Sequence, residues 1–163
     1  VDFLRRCYIE VVTVGVGSKE VTGAHNITVQ ADTVESLIEK SDKLQGIVLP
    51  GGMPGTLNLQ KSDLVNELLD YSVEKGLVIG AICAAPSILG EKGLLKGKKA
   101  TCFPGFEGKL LGAEVTGEYV EVDGNIVTGK GAGATIDFAR KIAEKFVGAE
   151  KALEVKQSMQ CKM

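Results

Sequence analysis

The chain has a single histidine, no surplus of either charge and no apolar run approaching the length of a membrane span. The lone His25 and the cysteines at 7, 83, 102 and 161 show no close-spaced pair and no metal-ligand spacing, which excludes a recognisable zinc site. With 19 Lys and Arg against 21 Asp and Glu, the formal net charge is −2, and no basic patch interrupts the chain. That balance lacks the electrostatic footprint of a nucleic-acid binder, so no nucleic-acid partner is expected. A membrane partner is not expected either, and no signal peptide is visible. Tryptophan is also absent, but beside 21 glycines and 44% hydrophobic residues this is ordinary for a globular chain. Scattered, unpaired thiols fit a cytoplasmic protein with reduced cysteines.

The 163 residues are read as one domain with one substantial core. "VDFLRR" opens as the second half of a helix, with Arg5 and Arg6 near its C-terminus, where cations favour the dipole. "IEVVTV" (9–14) predicts a strand, and "TVESLIEKS" (33–41) a helix capped by Asp32 or Thr33. "GIVLP" (46–50) predicts a short buried strand that ends in the glycine-rich "PGGMPGT". Residues 62–76 predict an amphipathic helix with Leu64, Val65, Leu68, Leu69 and Val73 on one face and Gly76 as its stop. "LVIGAIC" (77–83) reads as a strand buried on both faces, and 85–93 as a helix with Pro86 in its first turn. Further on come a strand at 98–103, a short helix at 106–112 and a hairpin over 118–130 on an Asp-Gly signal. A helix at 135–148 and a further C-terminal one complete the order. Alternating strands and helices imply an α/β sandwich, with a mostly parallel sheet and helices on both faces. Ligand sites in such sheets lie beyond the carboxyl ends of the strands.

Two stretches fall there. Cys83 leaves a buried strand at the entrance of a helix, where the amides of Ala84 and Ala85 are expected to be unpaired donors near the sulfur. Such amides stabilise the thiolate, the reactive form. The small neighbours Gly80, Ala81, Ala84 and Ala85 suit a sharp turn of the nucleophile-elbow kind. The bland alternative is a buried cysteine acting as a small hydrophobe. In the second stretch, Gly51 and Gly52 end a strand, and an amide from Gly52 together with that of Ala84 would form an oxyanion hole. A glycine-rich turn with no such role is the alternative, and no G-x-x-x-x-G-K-[ST] supports a phosphate loop.

"GIVLPGGMPGTLNL", "GLVIGAICAAPSIL", "KKATCFPG" and "DGNIVTGKGAGATIDFA", in this order, resemble successive signatures of the DJ-1/PfpI (ThiJ) superfamily. Ala84 follows the cysteine where the PfpI-type protease branch typically has His, so the resemblance is to the DJ-1-like branch. It implies a flavodoxin-like fold, Cys83 as nucleophile and oxidisable thiol, and Gly52 and Ala84 as its amide donors. Gly51, Phe103, Pro104, Lys130 and Ala132 would line the site, with no metal and no organic cofactor. Relatives carry a glutamate beside the sulfur in a G-[FA]-E-E-x-E segment that does not occur here. The resemblance thus implies a domain lacking a strand and half a helix, and a separately cleaved N-terminal peptide as a partner. It also implies a homodimer. The implied activity is of the glyoxalase or deglycase type, on a small-molecule aldehyde or glycated substrate. The alternatives are an oxidative-stress sensor or chaperone using Cys83 sulfinate, and a cysteine peptidase.

The remaining candidates read as structural. His25 belongs to a loop, Cys7 to a helix end, Cys102 to a buried strand end and Cys161 to an exposed tail. Glu107, Glu114, Glu118 and Glu121 read as solvated surface carboxylates.

Overall fold

The structure, a computed structural model, describes residues 1–161. Its elements are α1 (Asp2–Arg6), β1 (Val14–Gly15), β2 (Glu20–Thr22), β3 (Thr28–Gln30), β4 (Thr33–Val34), β5 (Gly46–Leu49), α2 (Gly55–Lys61), α3 (Asp63–Lys75) and β6 (Val78–Ile82). They continue with α4 (Pro86–Glu91), β7 (Lys99–Ala100), β8 (Glu114–Val115), β9 (Val120–Asp123), β10 (Ile126–Gly129) and α5 (Thr135–Ser158).

The main sheet runs β5-β6-β10-β9, parallel except for the β9–β10 hairpin. Successive side chains on a strand point to opposite faces, and β6 uses that alternation to feed two cores. Ile79 and Ala81 pack with Leu49, Val65, Leu69, Ile88 and Leu89 on the α3–α4 side. Val78 and Ile82 pack on the other side with Phe3, Leu4, Phe138 and Ile142 of α1 and α5. This is the α/β sandwich expected. Fully burying a side chain such as Leu69 or Ile142 contributes about 2 kcal/mol each. Among the described residues no helix is long and apolar enough to cross a membrane.

Elements whose order comes from packing one apolar face form where the pattern puts them. Ser62 caps α3 by accepting from Val65 N–H at 3.3 Å, and Gly76 ends it in the left-handed region. Its buried row is Val65, Leu68, Leu69 and Ser72, so Ser72 occupies a core position while Val73 is half-exposed. The 135–158 helix breaks at Gly148, which separates the two helices expected there. The hairpin forms with Gly124 and Asn125 as its two loop residues, one position later than Asp-Gly.

Elements that need a backbone partner differ from expectation. Of the expected 9–14 strand only Val14 joins a ladder, which continues to Gly15 and pairs with Thr33–Val34. Val11 O and the Thr13 N–H are held by side chains instead, while Thr13 O accepts from Thr33 N–H at 3.1 Å. Arg5 Nη2 donates to Val11 O at 2.8 Å, and Thr13 N–H donates to Asp32 Oδ2 at 2.8 Å. Asp32 is therefore no helix cap. Residues 33–41 form β4 and then a single tight turn at Glu35–Leu37, because the β-branched Thr33-Val34 pair finds a strand partner in β1. The 98–103 strand shortens to Lys99–Ala100, and the 106–112 helix to one turn at Glu107–Lys109.

Candidate functional site

β6 delivers Cys83 to the carboxyl edge of the sheet, where the residue takes φ +65°. A side chain in that region costs about 1–2 kcal/mol, and the surrounding bonds must over-determine it. They do so from both sides. Cys83 N–H donates to Gly129 O at 2.8 Å, Phe103 N–H donates to Cys83 O at 2.8 Å, and Ala85 N–H closes the turn on Ile82 O at 3.1 Å. The backbone of β10 and of the segment after β7 thereby grips the elbow. The Cys83 side chain is half-buried, with α4 starting at Pro86 just beyond it.

The loop after β5 meets the elbow in direct contact. A Cβ placed on Gly51 would lie 2.5 Å from Cys83 Cβ, 2.5 Å from Ile82 O and 3.0 Å from Ala84 N. Only glycine fits there. Gly52 beside it takes φ +92°, and the buried Thr56 clamps it, donating from N–H and Oγ1 to Gly52 O at 2.8 and 2.9 Å. Among the described residues, the N–H groups of Gly52 and Ala84 donate to no protein acceptor. The expectation that the Ala85 amide is also free is corrected: the turn to Ile82 O consumes it. Two amides without a protein acceptor thus belong to the glycine loop and to the turn that carries Cys83.

Phe103, whose N–H bonds Cys83 O, neighbours the loop after β10. The Phe103 ring, 47% exposed, comes within 3.4 Å of where a Gly131 Cβ would be. Pro104 and Ala132 are exposed beside it. Lys130 Nζ donates to Gly117 O at 2.8 Å, so its ammonium is engaged with a backbone carbonyl across the loop. Tyr119 joins that loop unforeseen: its carbonyl accepts from Lys130 N–H at 2.9 Å, and its hydroxyl lies 3.4 Å from a Gly133 Cβ position. Nothing in the "EYVEV" pattern distinguishes Tyr119 from any exposed strand aromatic.

Cys102 lies beneath the site and is 3% exposed. Its thiol is pushed up to about 11, first by burial and then by the charges of Glu107 and Cys83, so it stays protonated at neutral pH. Glu107 is held in the same loop, its Oε2 accepting from Gly105 N–H at 2.7 Å. Cys7 is buried at the end of α1, and Cys161 is half-buried. All four cysteines are free. His25 sits at the tip of the exposed β2–β3 hairpin, outside the residues packed around Cys83. Two concavities lie elsewhere. One, of about 660 Å³, is bounded by Gly17, Glu35 and the start of α3; the other, of about 410 Å³, lies at the opposite end of the sheet. Among the described residues no cluster of three His, Cys, Asp or Glu side chains could hold a metal ion.

A cysteine at positive φ between β6 and α4, packed against a glycine loop at the carboxyl edge of a mainly parallel sheet, defines an α/β protein with its cysteine on a sharp strand-to-helix turn. The profile described as "DJ-1/PfpI family" matches residues 1–145. The chain is 37% identical over 161 residues to protein dj-1beta of Drosophila melanogaster, covering 97% of this chain and 86% of that one. It is 31% identical over 152 residues to glutathione-independent glyoxalase DJR-1.2 of Caenorhabditis elegans, covering 92% and 80%. The solved structure of oxidized Toxoplasma gondii DJ-1 superposes with a TM-score of 0.93 at 31% identity, covering 99% of this chain and 89% of that one. The chain belongs to the DJ-1/PfpI family.

Proposed function

We propose that the protein is a cysteine-dependent enzyme of the glyoxalase or deglycase type, with Cys83 as its nucleophile. The observation that carries this reading is the strained Cys83 turn with the unengaged amides of Gly52 and Ala84. The similarity to a relative named as a glutathione-independent glyoxalase supports it. The Cys83 thiolate adds to the aldehyde carbon of a 2-oxoaldehyde, and the alkoxide formed takes a proton to give a hemithioacetal. The C–H proton of that carbon is removed and delivered to the adjacent carbonyl carbon, while the hydroxyl proton is lost and that carbonyl's oxygen gains one, converting the adduct through an enediol to a 2-hydroxy thioester. Water then cleaves the thioester, releasing a 2-hydroxy acid and restoring the thiol. Gly52 and Ala84 N–H bind the oxygen that carries charge in the addition and hydrolysis steps.

By resemblance the proton shuttle is a glutamate on a G-[FA]-E-E-x-E segment, which residues 1–163 do not contain. These residues alone are therefore expected to turn over slowly, and faster when a peptide bearing that segment is supplied. The test is methylglyoxal consumption with 2-hydroxy acid formation, with and without the peptide, in wild type and Cys83→Ser. Many equivalents consumed per chain, lost in Cys83→Ser, supports the enzyme. One equivalent or none with the peptide present overturns it and leaves the sensor reading.

In that second reading Cys83 is oxidised to sulfinate and held by the same two amides. Its support is the likeness to a DJ-1 structure described as oxidized. A peptidase is the weakest reading, since Ala84 stands where the protease branch has His. The four free thiols support work in a reducing compartment such as the cytoplasm. A homodimer is supported by the β2–β3 hairpin, whose Val21, Ile27 and Val29 are 40%, 68% and 58% exposed.

A further inference from the structure

The loops nearest Cys83 carry almost no charge. Residues 50–54 follow β5, 83–85 follow β6, 101–106 follow β7 and 130–134 follow β10. Apart from Cys83 and Cys102, their only ionisable side chain is Lys130, in a chain that is 25% charged. Lys130 is committed to Gly117 O at 2.8 Å. A substrate substituent at this edge therefore meets no free cation or anion from these four loops.

Two of the loops instead expose a large apolar side chain. Met53, 43% exposed, stands two residues beyond Gly51, which is in contact with the Cys83 turn. Phe103 is 47% exposed, and two contacts fix it beside the same turn. Its N–H donates to Cys83 O at 2.8 Å, and adding one N–Cα bond puts the Phe103 Cα within about 4.3 Å of that oxygen. Its ring lies 3.4 Å from the Gly131 Cβ position, two residues beyond Gly129, whose carbonyl accepts the Cys83 N–H. The ring is thus held between the Cys83 turn and the loop after β10. Single exposed hydrophobes are ordinary, but here two lie on loops in contact with one thiol turn. Exposure leaves the Phe103 ring short of the burial that an apolar ligand would complete.

Resting on the reading of Cys83 as a nucleophile toward 2-oxoaldehydes, we propose that Phe103 sets the substrate class. The preferred substrate is a neutral aryl 2-oxoaldehyde, whose ring packs against the Phe103 ring while its aldehyde carbon meets the sulfur. In the addition the Cys83 sulfur bonds to that carbon, the carbonyl π pair moves to oxygen, and the oxygen takes up the thiol proton. Ring-on-ring contact in an offset or edge arrangement adds to the burial, which a methyl substituent cannot match.

Iodoacetamide labelling of Cys83 in the presence of phenylglyoxal or methylglyoxal, read by peptide mass spectrometry, tests the assignment. Reversible addition protects the thiol, so each protection curve gives a dissociation constant without any turnover. Referring each constant to that for glutathione removes the intrinsic difference between the two aldehydes. On that scale the wild type is expected to bind phenylglyoxal about fivefold tighter than methylglyoxal. The preference disappears in Phe103→Ala and is retained in Phe103→Tyr. Equal relative protection in the wild type, a result that needs no variant to fold, overturns the proposal and leaves Cys83 as a nucleophile. A preference that survives in Phe103→Ala overturns it too. If neither aldehyde protects Cys83, addition to the thiol itself fails, and the enzyme reading falls with the proposal.

Discussion

Gly51 and Cys83 approach so closely that no side-chain atom fits between them. A Gly51→Ala methyl would meet Cys83 Cβ and the Ile82 carbonyl at 2.5 Å, and neither belongs to a flexible side-chain end. Overpacking of this kind costs about 1–3 kcal/mol. The cheapest relief is to displace the elbow itself. Gly51→Ala is therefore expected to lower the melting temperature and to slow iodoacetamide labelling of Cys83. Labelling at the wild-type rate would show that the contact has no part in presenting the sulfur.

Cys102 behaves in the opposite sense to a nucleophile. Because its folded-state thiol is raised from 9 to about 11, the fold favours the protonated form. The contribution is fully present below about pH 9 and is lost as pH rises through about 11. Melting of wild type against Cys102→Ala across this window should show the wild type losing its stability advantage as pH rises. At neutral pH Cys102 should remain unlabelled while Cys83 reacts.

At the scale of elements, Asp123 ties the end of β9 to the start of β7. Its carboxylate accepts from Lys99 N–H at 3.0 Å and pairs with Lys98 at 3.2 Å, which hold the carboxyl below its ordinary range. A depressed carboxyl stabilises the fold above its unfolded value, about 4, and the benefit is lost as pH falls through the folded value. Asp123→Asn should thus lower the melting temperature near neutral pH and make little difference at about pH 2 to 3. A difference that persists at acid pH would assign the effect to packing. Lys98 of this tie also borders the concavity of about 410 Å³ at that end of the sheet. α3 shows how element identity and element chemistry separate. Its boundaries follow from Ser62 and Gly76, yet which residue fills its last core position, Ser72 or Val73, depends on the helix's rotation against the sheet.

Over the whole molecule, the β2–β3 hairpin stands apart from the main sheet, with every residue from 20 to 30 exposed. A two-stranded hairpin is marginal by itself in water, and its apolar side chains favour cover by a second copy. If the protein is a homodimer through this arm, Ile27→Glu should shift its sedimentation from dimer towards monomer. A wild-type chain that sediments as a monomer at micromolar concentration rejects the dimer. Among the described residues the edge of β5 away from β6 has no strand partner, and Val12, Val14 and Val48 are 54%, 37% and 42% exposed. Residues 9–13 thus lie outside any ladder, with Arg5 bonding Val11 O and Asp32 the Thr13 N–H.

Much of this was legible in the residues themselves. A buried apolar run, a capped amphipathic period and a glycine stop are local, so β5, β6, α3, α4 and both parts of α5 stand where their patterns put them. Cys83 after a buried strand, Gly51 and Gly52 after another, were visible for the same reason. Hydrogen-bonded partnership is not local. The lengths of β1 and β7, the strand at 33–34 in place of a helix, and the engagement of the Ala85 and Lys130 donors were decided by what lay opposite them in space. Tyr119 beside the Gly133 turn and the unpartnered Ser72 hydroxyl belong to the same class, whereas the burial of Cys102 was expected from its place at a strand end. The sequence determined which faces must be buried; only the tertiary structure decided which polar groups find partners, because pairing depends on chain segments distant in sequence.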